Sequence, residues 1–159
     1  MVMNPLETRF VADVMLGRLS KWLRVMGYDA HYQPFYKEGI IDGLVRHGRL
    51  LLSRNRRMID KFNPSMLIVS EHVKIQLREI LNKGHISLDS SQWFTRCLVC
   101  NTRLKKISME EARAHIPEYI YTQNPSGMHF CSSCGRYFWP GSHKTRMMNQ
   151  ISEWNLNDY

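Results

Sequence analysis

No apolar run in the 159-residue sequence approaches the ~20 residues that a membrane-spanning helix requires. The opening stretch, Met1 to Thr8, carries Pro5 and Glu7 and has no apolar leader core, so the expected location is cytoplasmic. Internal repeats and low-complexity tracts are also missing, and with them the solenoid and disordered classes. Cysteine is scarce, with four residues that all lie beyond position 90, and in a chain without a leader they are not expected to form disulfides. Acid is in short supply too: 14 Asp and Glu face 22 Lys and Arg, a net charge of +8. That surplus favours a polyanionic partner, nucleic acid first.

What remains is the composition of a globular protein, one compact domain with a small second module. Up to about residue 85, short apolar runs alternate with helical periodicity. Arg9–Val14, Asp29–Gln33, Arg49–Ser53 and Met66–Ser70 read as strands. Helices are expected over about Leu16–Met26, Glu38–His47 and Glu71–Asn82, closed by Gly27, Gly48 and Gly84. Strands written as continuous apolar runs and separated by helices argue an α/β fold, a parallel sheet covered on both faces. The character changes near Ser87–Gln92, which reads as a linker. The expected division is therefore 1–88 for the α/β domain, 93–150 for a second module and 151–159 for a tail.

The second module carries Cys97-x-x-Cys100 and Cys131-x-x-Cys134. Each C-x-x-C turn aims two sulfurs at one point, and four thiolates suit tetrahedral Zn²⁺ while leaving no open position for catalysis. The expected metal is thus a structural zinc held by Cys97, Cys100, Cys131 and Cys134. Gly135 supplies the positive φ that such a turn often needs. His129 and His143 lie nearby but are surplus to a complete four-thiolate set. Between the pairs, Met109–His115 reads as a short helix capped by Ser108.

Asp13 ends the first strand just before a helix, where it can serve a site at the sheet's carboxyl edge or merely cap the helix. The third strand reaches the same edge with Ser53-Arg54-Asn55, an amide where a metal-dependent phosphodiesterase wants a carboxylate. Glu38, Asp42 and Asp60 are the other acids in the region. Residues 46–61 hold Arg46, Arg49, Arg54, Arg56, Arg57 and Lys61 against Asp60 alone. On the first helix Arg18, Lys21 and Arg24 lie opposite the apolar face. If both segments flank one sheet edge, Arg18, Lys21, Arg24, Arg54, Arg56 and Arg57 form a basic rim for an RNA backbone.

The stretch FVADVMLGRLSKWLRVMGYDAHY, together with GRLLLSRNRRM, the two C-x-x-C pairs and FWPGSHKTRM, resembles the Mut-seven C-terminal RNase family, a PIN-like nuclease domain with a C-terminal zinc ribbon. The resemblance spans about residues 8–150. It implies a PIN-like α/β fold and a metal-dependent ribonuclease, a hydrolase in which an acidic cluster holds Mg²⁺ or Mn²⁺. Asp13 matches the family's first acid. The family's threonine-arginine-aspartate motif reads Ser53-Arg54-Asn55 here, and the acid ahead of its second helix falls at about Lys37-Glu38. The implied catalytic set is therefore Asp13, Glu38 and Asn55. Two functions follow: a ribonuclease working with one neutral ligand, or an inactive RNA-binding or adaptor protein that keeps the fold. Trp139, His143 and Lys144 can extend an RNA surface, or Trp139 can simply pack.

Overall fold

A computed structural model describes residues 7–124 and 126–157. The first residues of the opening stretch and the last two of the expected tail lie outside the described residues. The chain divides into two compact units, Met1–Asn101 and Thr102–Tyr159.

In the first unit β1 (Arg9–Ala12) is followed by a 3₁₀ turn at Val14–Leu16 and by α1 (Gly17–Val25). Then come β2 (Asp29–Tyr32), α2 (Ile40–Arg46), β3 (Leu50–Ser53), α3 (Arg56–Lys61), β4 (Ser65–Leu67) and α4 (Val73–Asn82). The four strands form one parallel sheet in the order β2-β1-β3-β4. Every residue of β3 is buried, as its unbroken Leu-Leu-Leu-Ser run requires of an inner strand covered on both faces. Val11 and Leu51 pack with Val45 of α2 and with Met58 on one face. The residues alternating with them turn to the other face, where α1 packs with α4. The expected α/β architecture is thus present.

The element ends differ from the sequence pattern for identifiable reasons. Met66–Ser70 continues as a strand only to Leu67, because the Glu79 carboxylate accepts the N–H groups of Val69 (2.8 Å) and Ser70 (2.9 Å) and draws the chain off the sheet. Arg56–Lys61 is helical because Asn55 caps it.

The larger difference concerns α1. Leu16, Leu19, Leu23 and Met26 are buried as the periodicity predicts, but Arg24, on the expected polar face, is only 6% exposed. Residues 93–101 run along that side of the helix. Phe94 N–H donates to Val25 O (2.7 Å) and Arg96 Nε to Gly27 O (3.0 Å). Arg24 itself donates to the carbonyls of Leu98 (3.0 Å) and Val99 (3.1 Å). Arg24 is therefore withdrawn from the expected basic rim. The same contacts place residues 93–101, the expected start of the second module, in the first compact unit.

Gly27 permits this docking. Its φ is +90°, and an added Cβ would lie 2.4 Å from the carbonyl oxygen of Gln92. Asp29, at the start of β2, is held by both guanidinium nitrogens of Arg49 (2.6 and 3.1 Å) and by Asn101 Nδ2 (2.7 Å). Burial alone would raise the Asp29 carboxyl, but these hydrogen bonds and the Arg49 and Arg96 charges hold it below the usual range.

The second unit contains β5 (Lys105–Lys106), α5 (Met109–Arg113), α6 (Glu118–Gln123), β6 (His129–Phe130), β7 (Tyr137–Phe138) and α7 (Ser142–Trp154). Its three short strands pair antiparallel in the order β5-β6-β7. Ala112, Ile116, Ile120 and Met128 form its core, with Tyr137 packed against them. Ser108 caps α5 as expected, in a reciprocal capping box with Glu111. Neither α6 nor the long α7 is evident from the sequence pattern.

Two outcomes are expected. Gly84→Ala, at φ +73° in open space, should cost about 1–2 kcal/mol, whereas Gly27→Ala should cost about 3 kcal/mol or more because backbone must also shift. Equal urea midpoints for the two variants would contradict the packing described. For Asp29, a depressed folded pKa contributes stability above the unfolded value near ~3.9, and this is lost as pH falls through the folded value. The stability gap between wild type and Asp29→Asn should therefore narrow as pH is lowered below about 4; a gap independent of pH would contradict it.

Candidate active site and metal centre

The strand order creates a switch point. After β1 the chain crosses through α1 to β2 on one side, then returns through α2 on the opposite face to β3 on the other side. The segments leaving the carboxyl ends of β1 and β3 lead to opposite faces of the sheet, and open parallel sheets bind ligands at such switch points.

Asp13 stands at this point, 3% exposed. Its N–H continues the sheet by donating to Leu52 O (3.0 Å). Its Oδ1 accepts the Met15 N–H (2.7 Å), capping the 3₁₀ turn, and its Oδ2 accepts the hydroxyl of Ser53. The capping role is therefore realised, by a side chain that stands at the sheet's carboxyl edge. Ser53 Oγ in turn accepts the Asn55 N–H (3.0 Å). A continuous path, Asp13–Ser53–Asn55, runs across the ends of the two central strands.

Two tyrosines bracket the aspartate. Tyr36 Oη donates to Ala12 O (2.9 Å) and Tyr32 Oη to Val14 O (3.2 Å). Burial pushes the Tyr36 phenol up to about 12, so it remains a donor at neutral pH. The Tyr32 ring lies against Gly17, where a Cβ would approach within 2.8 Å, so the first residue of α1 has no room for a side chain. The sequence pattern gives no sign of either tyrosine's role.

Of the other expected site residues, Asn55 is linked to Asp13 through the Ser53 hydroxyl. Asn55 is exposed and its Oδ1, the atom expected to serve as a neutral ligand, accepts the Arg57 N–H (3.0 Å). Glu38 is exposed and no hydrogen bond or ion pair holds it among the described residues. Asp42 pairs with Arg46 (2.6 Å) on α2, and Asp60 is exposed. The donor set thus fits Mg²⁺ or Mn²⁺ only in part: Asp13 supplies one fixed carboxylate, and among the described residues no hydrogen bond ties a second acid to it.

The basic stretch is likewise divided by the fold. Arg49 is spent on Asp29 and on Phe10 O (3.0 Å), and Arg54 pairs with Glu71 (3.0 Å). Arg18, Lys21, Arg56 and Arg57 are exposed. The latter pair opens α3, directly after the carboxyl end of β3.

The four cysteines form a group that could hold a metal ion. One ligand atom from each of Cys97, Cys100, Cys131 and Cys134 lies within 4.8 Å of the others, and all four are free of disulfides. The edges of a tetrahedron with ~2.3 Å bonds are about 3.8 Å, so this set can hold zinc. The two turns are alike. Asn101 N–H donates to Cys97 O (2.9 Å) and Gly135 N–H to Cys131 O (2.9 Å). Both closing residues have positive φ, 68° and 73°. Gly135 meets expectation, and Asn101 performs the same turn with the side chain next best suited to it. Neither His129 nor His143 belongs to the cluster. His129 Nδ1 bonds to Gly127 O (2.9 Å) instead.

Removing the Asn55 cap should cost about 1 kcal/mol in Asn55→Ala, while Asn55→Asp should retain it. Equal losses in denaturant titrations of the two variants would contradict the capping role.

Comparison with curated proteins gives no match, and comparison with solved structures gives none either. The family model described as the Mut7-C RNAse domain matches residues 8–151. The span takes in the parallel sheet, the Asp13–Ser53–Asn55 path and all four cysteines, and the chain belongs to the Mut7-C RNAse domain family.

Proposed function

We propose that the protein acts on RNA at the carboxyl edge of its parallel sheet, as a metal-dependent ribonuclease with a weakened acidic site. The observation that carries this reading is Asp13, an aspartate fixed by Ser53 at the switch point of a nuclease-family sheet. Exposed Arg56 and Arg57 at the start of α3, with Arg18 and Lys21 on α1, offer positive charge for the phosphate backbone. Phe35, 71% exposed after β2, offers a ring for an unpaired base. Arg54 can contribute if its pairing with exposed Glu71 yields to phosphate. Arg24 has no part in RNA contact.

Asp13 would hold the divalent ion, with exposed Glu38 the acid available to join it and Asn55 a neutral donor once freed from its cap. A bound Mg²⁺ or Mn²⁺ supplies charge neutralisation at the scissile phosphate and activates water. This chain's own contribution is to fix the first carboxylate and to orient the strand. Zn²⁺ at the four cysteines is structural in this reading, with the protein placed in the cytoplasm. The cap made by Asn55 favours a second reading, in which the chain binds RNA and does not cut it.

One assay separates the two. Single-stranded and structured RNA are incubated with the zinc-loaded protein in Mn²⁺ or Mg²⁺, alongside Asp13→Asn and Asn55→Asp. The ribonuclease reading predicts metal-dependent cleavage that Asp13→Asn abolishes. Cleavage that survives Asp13→Asn would be contamination and would remove the catalytic claim. Inactive wild type with activity gained in Asn55→Asp would establish the second reading. In both, affinity should fall steeply with salt, and replacing Arg56 and Arg57 by alanine should lower the log–log slope by about 2. Salt-independent binding would contradict RNA contact altogether.

A further inference from the structure

β2 is the outer strand of the parallel sheet, paired on one side only. The outward backbone groups of an edge strand go to water or to another chain unless something covers them. At Ala30 both are taken. Its N–H donates to Asn101 Oδ1 (3.0 Å), and its carbonyl accepts Arg24 Nε (2.9 Å). Both partners lead directly to the first C-x-x-C turn. The other end of the Arg24 guanidinium donates to the carbonyls of Leu98 and Val99, the two residues between Cys97 and Cys100. Asn101 follows Cys100, closes the turn through its N–H to Cys97 O, and reaches Asp29 with its Nδ2 (2.7 Å).

These contacts require the turn to be closed. Leu98 and Val99 carbonyls can converge on one guanidinium nitrogen only while the segment between the cysteines is folded back. Asn101 can present its amide to Ala30 only while its own backbone holds φ 68°. Metal binding fixes both conditions, because two thiolates on one ion set the turn. Four thiolates and one Zn²⁺ also leave a net charge of about −2, which favours the guanidinium buried against the turn.

We infer that zinc at the cysteines orders the outer strand of the nuclease-family sheet as well as its own module, with Arg24 and Asn101 as the positioning residues that transmit the effect. The inference rests on zinc being the ion held there. Its consequence reaches the candidate site. Tyr32, the last residue of β2, bonds to Val14 O, and Tyr36 beyond it bonds to Ala12 O, the two carbonyls flanking Asp13. Loss of zinc would loosen β2 and release the segment that holds the acid.

The test is amide hydrogen exchange on the reduced full-length protein, zinc-loaded and after chelation, with zinc content measured in parallel. In wild type, chelation should raise exchange in residues 29–32 by about tenfold or more, a local opening at the sheet edge. Asn101→Gly keeps the left-handed turn and removes the amide. It should retain one zinc per chain, show fast exchange at Ala30 already, and respond little to chelation. Arg24→Met should behave alike; if it fails to fold, Asn101→Gly decides. Wild type that binds one zinc, yet keeps β2 protection after chelation while residues 102–157 lose theirs, would overturn the coupling alone. Protein that takes up no zinc would overturn the zinc reading and the coupling together.

Discussion

The hydrogen bond from Ser53 to Asp13 joins the ends of the two central strands at the place where the chain changes direction. Without it, a buried carboxylate at the end of β1 would keep, among the described residues, the Met15 N–H as its hydrogen-bond donor, and buried charge so poorly partnered is costly. Ser53 donates to Asp13 while its oxygen accepts the N–H of Asn55, the cap of α3. The sheet register, the 3₁₀ turn after β1 and the cap of α3 therefore depend on one another. The aspartate is thus structural whether or not it also serves chemistry.

The opposite end of β2 depends on a second set of contacts, centred on Arg24. A guanidinium this deeply buried is tolerated because its donors find three carbonyls, at Ala30, Leu98 and Val99. Asn101 and Arg96 add to the same seam through Asp29 and Gly27. The first cysteine turn is consequently packed into the α/β unit, which explains why Gly27 must lack a side chain where Gln92 passes.

The sheet was readable because its signals are local. Apolar runs at 9–14 and 49–53 mark inner strands, and C-x-x-C spacing marks a metal centre by itself. The burial of Arg24 was not readable, since the covering segment lies more than seventy positions away and nothing in the helical periodicity announces it. The basic run at 46–61 appeared uniform in sequence, whereas tertiary partners divide it: Arg49 belongs to Asp29, Arg54 to Glu71, and Arg56 and Arg57 remain exposed. Helices α6 and α7 give no clear periodicity, since α6 is short and α7 buries few residues, Met147 and Ile151 among them. Asn55 stands out in the sequence as an amide at a strand end, and the structure uses it as a helix cap.

The proposed site has one fixed carboxylate, Asp13, and the reading that carries it takes the amide of Asn55 to stand in for a second charge. Calorimetric titration of Mn²⁺ into the zinc-loaded protein measures this directly, with Asn55→Asp as the comparison. The account predicts weak binding by wild type that tightens by about tenfold or more in Asn55→Asp, since a second carboxylate supplies the charge that a divalent ion requires. Tight binding by wild type, unchanged in Asn55→Asp, would contradict it.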